Sequence, residues 1–146
     1  MTDPLRVLFL CTGNSARSII GAALLRKAGG ERFDVHSAGT APKGINPYTV
    51  RVLSSVGIEI AGERSKHVSE YDGQAFDYVI TVCDAAAEQC PVFPGAPRRI
   101  HWSFPDPAAV EGTDGERLAA FRRTLREMQA RISTFILVAR NKDERA

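Results

Sequence analysis

Eight consecutive residues, Cys11-Thr12-Gly13-Asn14-Ser15-Ala16-Arg17-Ser18, combine a thiol, a run of small side chains and a guanidinium. Between a strand and a helix, such a loop leaves successive backbone N–H groups unpaired. The positive end of the helix dipole adds to them, and together they suit a tetrahedral oxyanion. Cys11 would sit beneath the bound anion, where the same amides and dipole favour a thiolate nucleophile. Arg17, six residues on, can return over the loop and offer a bidentate fork to two oxygens. Gly13 and Asn14 tolerate positive φ, and the Ser18 hydroxyl can donate to the Cys11 sulfur. The expected anion-binding set is therefore Thr12, Gly13, Asn14, Ser15, Ala16, Arg17 and Ser18. The plain alternative is a half-buried cysteine before an ordinary helix. Its placement at a strand-to-helix junction is what makes C-x5-R-S read as an oxyanion site.

Two more thiols, Cys83 and Cys90, make three in all, an odd set in a chain long enough to build a core without disulfides. Seven residues is two helical turns, so both would lie on nearly the same face of a helix between them. Asp84 is a plausible cap, and Ala85, Ala86 and Ala87 favour that helix. Its rise would separate the two Cα atoms by about 10 Å, beyond the roughly 7 Å limit for a disulfide. A bond between them thus requires the helix to break. The expectation is a segment 84–90 that is helical when reduced and looped out when oxidised. Two inert thiols remain the competing reading. A metal site is disfavoured, since C-x6-C is not a usual zinc spacing and His36, His67 and His101 show no ligand spacing.

The elements that must position these residues follow from hydrophobic pattern. Leu5 to Leu10 is a nearly continuous apolar run, as in a strand buried on both faces. Arg17 to Lys27 carries Ile19, Ile20, Ala23 and Leu24 at helical spacing and is stopped by Gly29-Gly30. Phe33 to His36 reads as a second strand, followed by the turn Ser37-Ala38-Gly39-Thr40. A helix capped by Asn46 with Pro47 at its first position has the stripe Val50, Leu53, Val56 and ends at Gly57. Residues 58–71 have no clear pattern. Phe76 to Val82 is a third strand and Arg99 to Phe104 a fourth. From Glu116 to Val138, the residues Leu118, Phe121, Leu125, Met128, Ile132 and Phe135 form one apolar helical face. Strands alternating with helices imply a parallel sheet covered on both faces. Cys11, Ser37, Cys83 and Asp106, each just past a strand end, would converge on the sheet's carboxyl edge.

Composition narrows the function classes. The chain has 146 residues, 19 basic against 17 acidic, for a net charge of +2. That balance argues against nucleic-acid binding, and the arginines of the last helix (Arg122, Arg123, Arg126, Arg131) read as a solvated face. No apolar run approaches the roughly 18 to 20 residues needed to span a bilayer. The start, with Asp3 and Pro4, lacks the basic opening of a signal peptide. The expectation is one domain over residues 1–140 with a charged tail at 141–146, cytoplasmic, monomeric, and without membrane or nucleic-acid partners.

The Cys11–Ser18 loop together with Asp106-Pro107 resembles the low-molecular-weight protein-tyrosine phosphatase fold. With Cys83…Cys90-Pro91, Phe93-Pro94-Gly95 and His101-Trp102-Ser103-Phe104, nearly the whole chain resembles the thioredoxin-coupled arsenate reductases built on it. The resemblance implies an α/β three-layer sandwich around a four-stranded parallel sheet. It also implies Cys11, Arg17, Cys83, Cys90 and Asp106 as catalytic residues, with Asp106 protonating the leaving oxygen. Reduction of arsenate to arsenite takes two electrons, which one dithiol-to-disulfide conversion supplies. The implied partners are arsenate and thioredoxin, which brings the electrons in place of a bound cofactor, with no metal. A phosphatase is the alternative, but Ala108-Ala109-Val110 stand where aromatic residues would grip a substrate ring. Where relatives commonly continue Arg-Ser-Gln-Met-Ala-Glu, this chain has Arg17 to Ala22, without the acidic side chain that accompanies a monovalent cation in some of them. The Ser37–Thr40 turn is expected to support the loop, and Trp102 to pack.

Overall fold

The computed structural model describes residues 3–139; the expected tail at 141–146 lies outside them. Four parallel strands form the sheet: β1 (Leu5–Cys11), β2 (Phe33–Gly39), β3 (Tyr78–Thr81) and β4 (Arg98–His101), in the order β2-β1-β3-β4. Helix α1 (Arg17–Gly29) joins β1 to β2, α2 (Pro47–Ser55) follows β2, α3 (Asp84–Glu88) joins β3 to β4, and α4 (Asp114–Val138) closes the chain. β2 and β4 lie on opposite sides of the β1/β3 pair, so right-handed crossovers place α1 and α3 on opposite faces. This is the expected three-layer α/β architecture.

β1 is central because its residues can be dry on both faces: Val7, Leu8, Phe9 and Leu10 are fully buried. Gly21 of α1 lets that helix approach closely, since a Cβ there would fall 2.8 Å from the Phe9 ring. On α4 the residues Phe121, Leu125, Met128, Ile132 and Phe135 are buried as expected. Phe135 meets Phe33, Tyr78 and Trp102, and Trp102 also meets Phe9, which gives Trp102 its packing role. The helix starts two residues before the expected Glu116. Thr113 and Glu116 form a reciprocal capping box there.

Five local expectations need correction. Val50 is 41% exposed; the buried face of α2 is Thr49, Val52 and Leu53, because the Thr49 hydroxyl is drawn inward to donate to the Ser15 carbonyl at 2.8 Å. β2 runs on through Gly39, which makes Ser37 a strand residue rather than a turn residue. Gly13 does not adopt positive φ, whereas Asn14 does, at 44°. Helix α3 stops at Glu88, short of Cys90, since the residue before Pro91 is disfavoured in helical conformation. Nor does Asp84 cap it. Its carboxylate accepts from His101 Nε2 at 2.8 Å, and Cys83 occupies the cap position without a side-chain capping bond.

Candidate active site

The strand order explains where chemistry gathers. From β1 the chain leaves to β2 on one side, while β3 and β4 lie on the other, so a crevice opens at the carboxyl ends of β1 and β3. Cys11 ends β1, and Cys83 follows β3 by two residues. A cavity of about 280 Å³ opens at this edge, walled by Cys11, Thr12, Gly13, Ser15, Ala16 and Arg17 from the loop, Ala41 and Lys43 from the segment after β2, and Asp106 and Ala108 from the far end of the chain.

The loop is held rigid from behind. The Asn14 N–H donates to Cys11 Sγ at 3.2 Å, and the Ser18 hydroxyl lies 2.8 Å from the same sulfur. Asn14, fully buried, donates through Nδ2 to Ser18 Oγ at 2.8 Å and Ser37 Oγ at 3.1 Å, and accepts at Oδ1 from the Lys66 N–H at 2.9 Å. One side chain thereby ties the loop to α1, β2 and the 64–67 segment. Parallel support comes from the residues after β2: the Thr40, Ala41 and Lys43 N–H groups donate to the carbonyls of Cys11, Thr12 and Gly13. The N–H of Asn46, which caps α2, and the hydroxyl of Thr49 within it hold the Ser15 carbonyl. Those loop carbonyls are turned outward onto partners.

Arg17, with a side chain 14% exposed, donates from Nη1 to the Phe104 carbonyl at 2.9 Å, and its Nη2 lies 3.9 Å from Asp106 Oδ2. One nitrogen of the expected fork is thus committed to the protein, which leaves the Nε and Nη2 edge for an anion. Asp106 is itself anchored, with Oδ1 accepting from the Ala108 N–H at 3.0 Å at the start of a short 3-10 turn. Cys83, buried, lies with its sulfur 3.3 Å from the Thr12 hydroxyl. Cys90, half-buried, lies outside the cavity with its sulfur on Arg99 Nη1 at 2.8 Å. All three thiols are free. Cys11, Arg17 and Asp106 therefore share one cavity, Cys83 touches its loop, and Cys90 stands apart. Asn14 and Ser18 lie behind the cavity rather than lining it.

Lys43 and the 65–67 segment escaped sequence reasoning, while Gly39 belongs to the 37–40 stretch expected to support the loop and does so by close approach. Gly39 faces the loop: a Cβ there would lie 2.5 Å from the Thr12 carbonyl and 2.9 Å from the Asn14 nitrogen. Lys43 lays its chain over Gly13 at the cavity mouth. The 65–67 segment buttresses the loop, with the Ser65 hydroxyl donating to the Gly13 carbonyl at 3.1 Å and a bridge from Gly39 to His67. Burial there lowers the Lys66 ammonium pKa below the usual lysine value. None of these residues belongs to a periodic pattern. Among the described residues, no cluster of three or more His, Cys, Asp or Glu side chains is placed to hold a metal ion, and no helix is long and apolar enough to cross a membrane.

This fold and this loop define a class: residues 6–145 match the low molecular weight phosphotyrosine protein phosphatase family, and the chain belongs to it. Within it, the chain is 43% identical over 129 residues to an arsenate reductase of Halalkalibacterium halodurans, covering 88% of this chain and 93% of that one. It is 37% identical, with the same coverage, to an arsenate reductase of Bacillus subtilis. Among solved structures it is similar to an arsenate reductase in a phosphate-binding state (TM-score 0.73, 25% identity, 91% of this chain and 97% of that one). A thioredoxin-dependent arsenate reductase of Corynebacterium glutamicum is also similar (TM-score 0.65, 30% identity, 92% of this chain and 65% of that one).

Proposed function

We propose that the protein reduces arsenate to arsenite through a Cys11/Cys83/Cys90 relay regenerated by thioredoxin, in cytoplasmic arsenic detoxification. The observation that carries this reading is the Cys83 sulfur seated 3.3 Å from Thr12, the residue next to the nucleophile. Hydrolysis of a phosphoester needs one thiol at this cavity; a second thiol against the same loop is what reduction needs.

Arsenate binds in the cavity on the loop N–H groups and the free edge of Arg17. The Cys11 thiolate attacks arsenic, an As–O bond breaks, and Asp106 protonates the departing oxygen so that it leaves as water. Cys83 attacks the Cys11 sulfur, the S–As bond breaks, and its electron pair leaves with arsenic as arsenite. A Cys11–Cys83 disulfide remains. Cys90 attacks Cys83, which frees Cys11 and leaves a Cys83–Cys90 disulfide. Thioredoxin reduces that bond and restores both thiols. The cavity itself is indifferent to phosphate against arsenate, which share shape and charge, so some phosphatase activity accompanies this reading. Ala108 at its wall gives an aryl group nothing to stack on.

The test is arsenate-dependent NADPH oxidation by the purified protein with thioredoxin and thioredoxin reductase. Turnover that Cys83→Ser abolishes is the expected result. No turnover, with an aryl phosphate hydrolysed by the same preparation, would return the protein to the phosphatases.

A further inference from the structure

Arg99 lies on the edge strand β4, away from the oxyanion cavity, with its guanidinium turned toward the third thiol. Nη1 donates to Cys90 Sγ at 2.8 Å and Nη2 to the Pro91 carbonyl at 2.9 Å. Two donors of one rigid fork thus hold the sulfur and the carbonyl beside it. A guanidinium has donors and no acceptor, so the Cys90 sulfur accepts in this contact, while its S–H is directed to the Pro91 carbonyl at 3.6 Å. Among the described residues no carboxylate pairs with Arg99, so its charge is directed at the sulfur and not neutralised elsewhere. Cys90 and Arg99 also border a small cavity of about 150 Å³ with Val79, Thr81, Ala87 and His101, which leaves the sulfur room to move.

We propose that Arg99 is a further catalytic residue of the relay, the cation placed to stabilise the negative charge that the Cys90 sulfur carries once its proton is given up for the attack on Cys83. The inference rests on the arsenate-reductase reading above. In that step the Cys90 thiolate attacks Cys83 of the Cys11–Cys83 disulfide. The Cys83–Cys90 bond forms, the Cys11–Cys83 bond breaks, and Cys11 leaves as a thiolate. No net electrons move, because arsenate has already supplied the oxidising equivalent. Negative charge passes from the Arg99 fork to the amides of the Cys11 loop, so both ends of the transfer have donors waiting.

The competing role, a tether that merely pins the chain at Pro91, predicts the opposite sign in one measurement. Capture of Cys90 by iodoacetamide is followed by peptide mapping in the reduced protein at neutral pH, for wild type, Arg99→Gln and Arg99→Lys. Loss of a tether exposes the sulfur and speeds capture; loss of the cation slows it. The same variants are then followed by acid quench after one arsenate turnover without thioredoxin, to time the appearance of the Cys83–Cys90 disulfide. Expected is about a tenfold slowing of both rates in Arg99→Gln, the scale of one charge-assisted hydrogen bond, with most of each rate restored in Arg99→Lys. Capture as fast as wild type or faster in Arg99→Gln, or an unchanged disulfide rate, overturns the proposal. Failure of the underlying reading looks different: the wild type itself then releases no arsenite in a single turnover, and the catalytic role of Arg99 falls with it.

Discussion

Gly39→Ala isolates the geometry of the oxyanion loop, because the added methyl meets the loop backbone and the Asn14 Cβ fixed to it. Its Cβ would lie 2.5 Å from the Thr12 carbonyl oxygen and 2.9 Å from the Asn14 nitrogen, whereas carbon and oxygen in close backbone contact stand about 3.3 Å apart. Relief therefore needs a displacement of about 0.8 Å. No side chain can swing aside to provide it, so the loop itself must move. A shift of that size takes a 2.9 Å hydrogen bond out of range, and a misplacement of about 1 Å costs about 100-fold in rate. The expected result is a fall of about two orders of magnitude in kcat/KM for arsenate, with phosphate losing its ability to inhibit. Overpacking costs about 1 to 3 kcal/mol of stability, which a melting curve registers while the circular dichroism spectrum stays native. Gly62→Ala, where an added Cβ meets nothing within 4 Å, serves as the silent control. A folded Gly39→Ala protein with kcat/KM within threefold of wild type would refute this account of how the loop is held.

Ser18→Ala removes a hydroxyl that touches Cys11 Sγ and accepts from Asn14; about a tenfold loss in single-turnover rate is expected from rapid-quench kinetics. Asn14→Ala strips three side-chain hydrogen bonds, two of them buried, and places Ala at φ 44°, so urea denaturation should show about 2 to 4 kcal/mol less stability. Lys43→Ala withdraws an exposed charge from the cavity mouth and should raise KM for arsenate about threefold with kcat nearly unchanged, the effect shrinking in high salt. Burial raises the Asp34 carboxyl pKa, but the hydrogen bond and charge of His36, then those of Arg6, outweigh it and hold the value low. Its stabilisation is thus present above the ordinary carboxylate range and disappears as pH falls through the lowered folded value. Wild type minus Asp34→Asn stability, measured by denaturation from pH 6 to pH 2, should shrink toward acid, by under about 1 kcal/mol because the side chain is half exposed.

Local chemistry was readable wherever one residue type admits one backbone role. The Leu5–Leu10 run, the Asn46-Pro47 helix start and the heptad-like face of α4 all lie where pattern placed them. So does the convergence of Cys11, Cys83 and Asp106 on one edge, since parallel topology leaves no other edge for strand ends. Cys90 illustrates the limit: three alanines favoured a helix reaching it, but Pro91 ended the helix first. The close approach of Gly39 and the buttress at 64–67 were illegible for another reason. Their importance is a distance to a loop 25 or more residues away, and no sequence period encodes a close approach. Lys43 and Arg99 act through where a long side chain lies down, which the neighbours decide.

The oxyanion loop does not by itself choose between hydrolysis and reduction; that depends on what attacks after Cys11 has taken the central atom. Water attacking phosphorus regenerates the thiolate and moves no electrons. A thiol attacking the Cys11 sulfur leaves the electron pair with arsenic. The sheet order β2-β1-β3-β4 makes the second route geometrically simple, because the carboxyl ends of β1 and β3 are neighbours and a cysteine just past β3 arrives beside Thr12 with no rearrangement of the loop. The third thiol cannot share that advantage. In the relay proposed above it would surrender its disulfide to another protein, and the same crossover that brings Cys83 inward carries the chain outward through α3 toward the edge strand, where Cys90 lies on Arg99. On that proposal, separation of Cys83 from Cys90 by a short helix is the consequence of asking one segment both to reach a buried nucleophile and to face a partner.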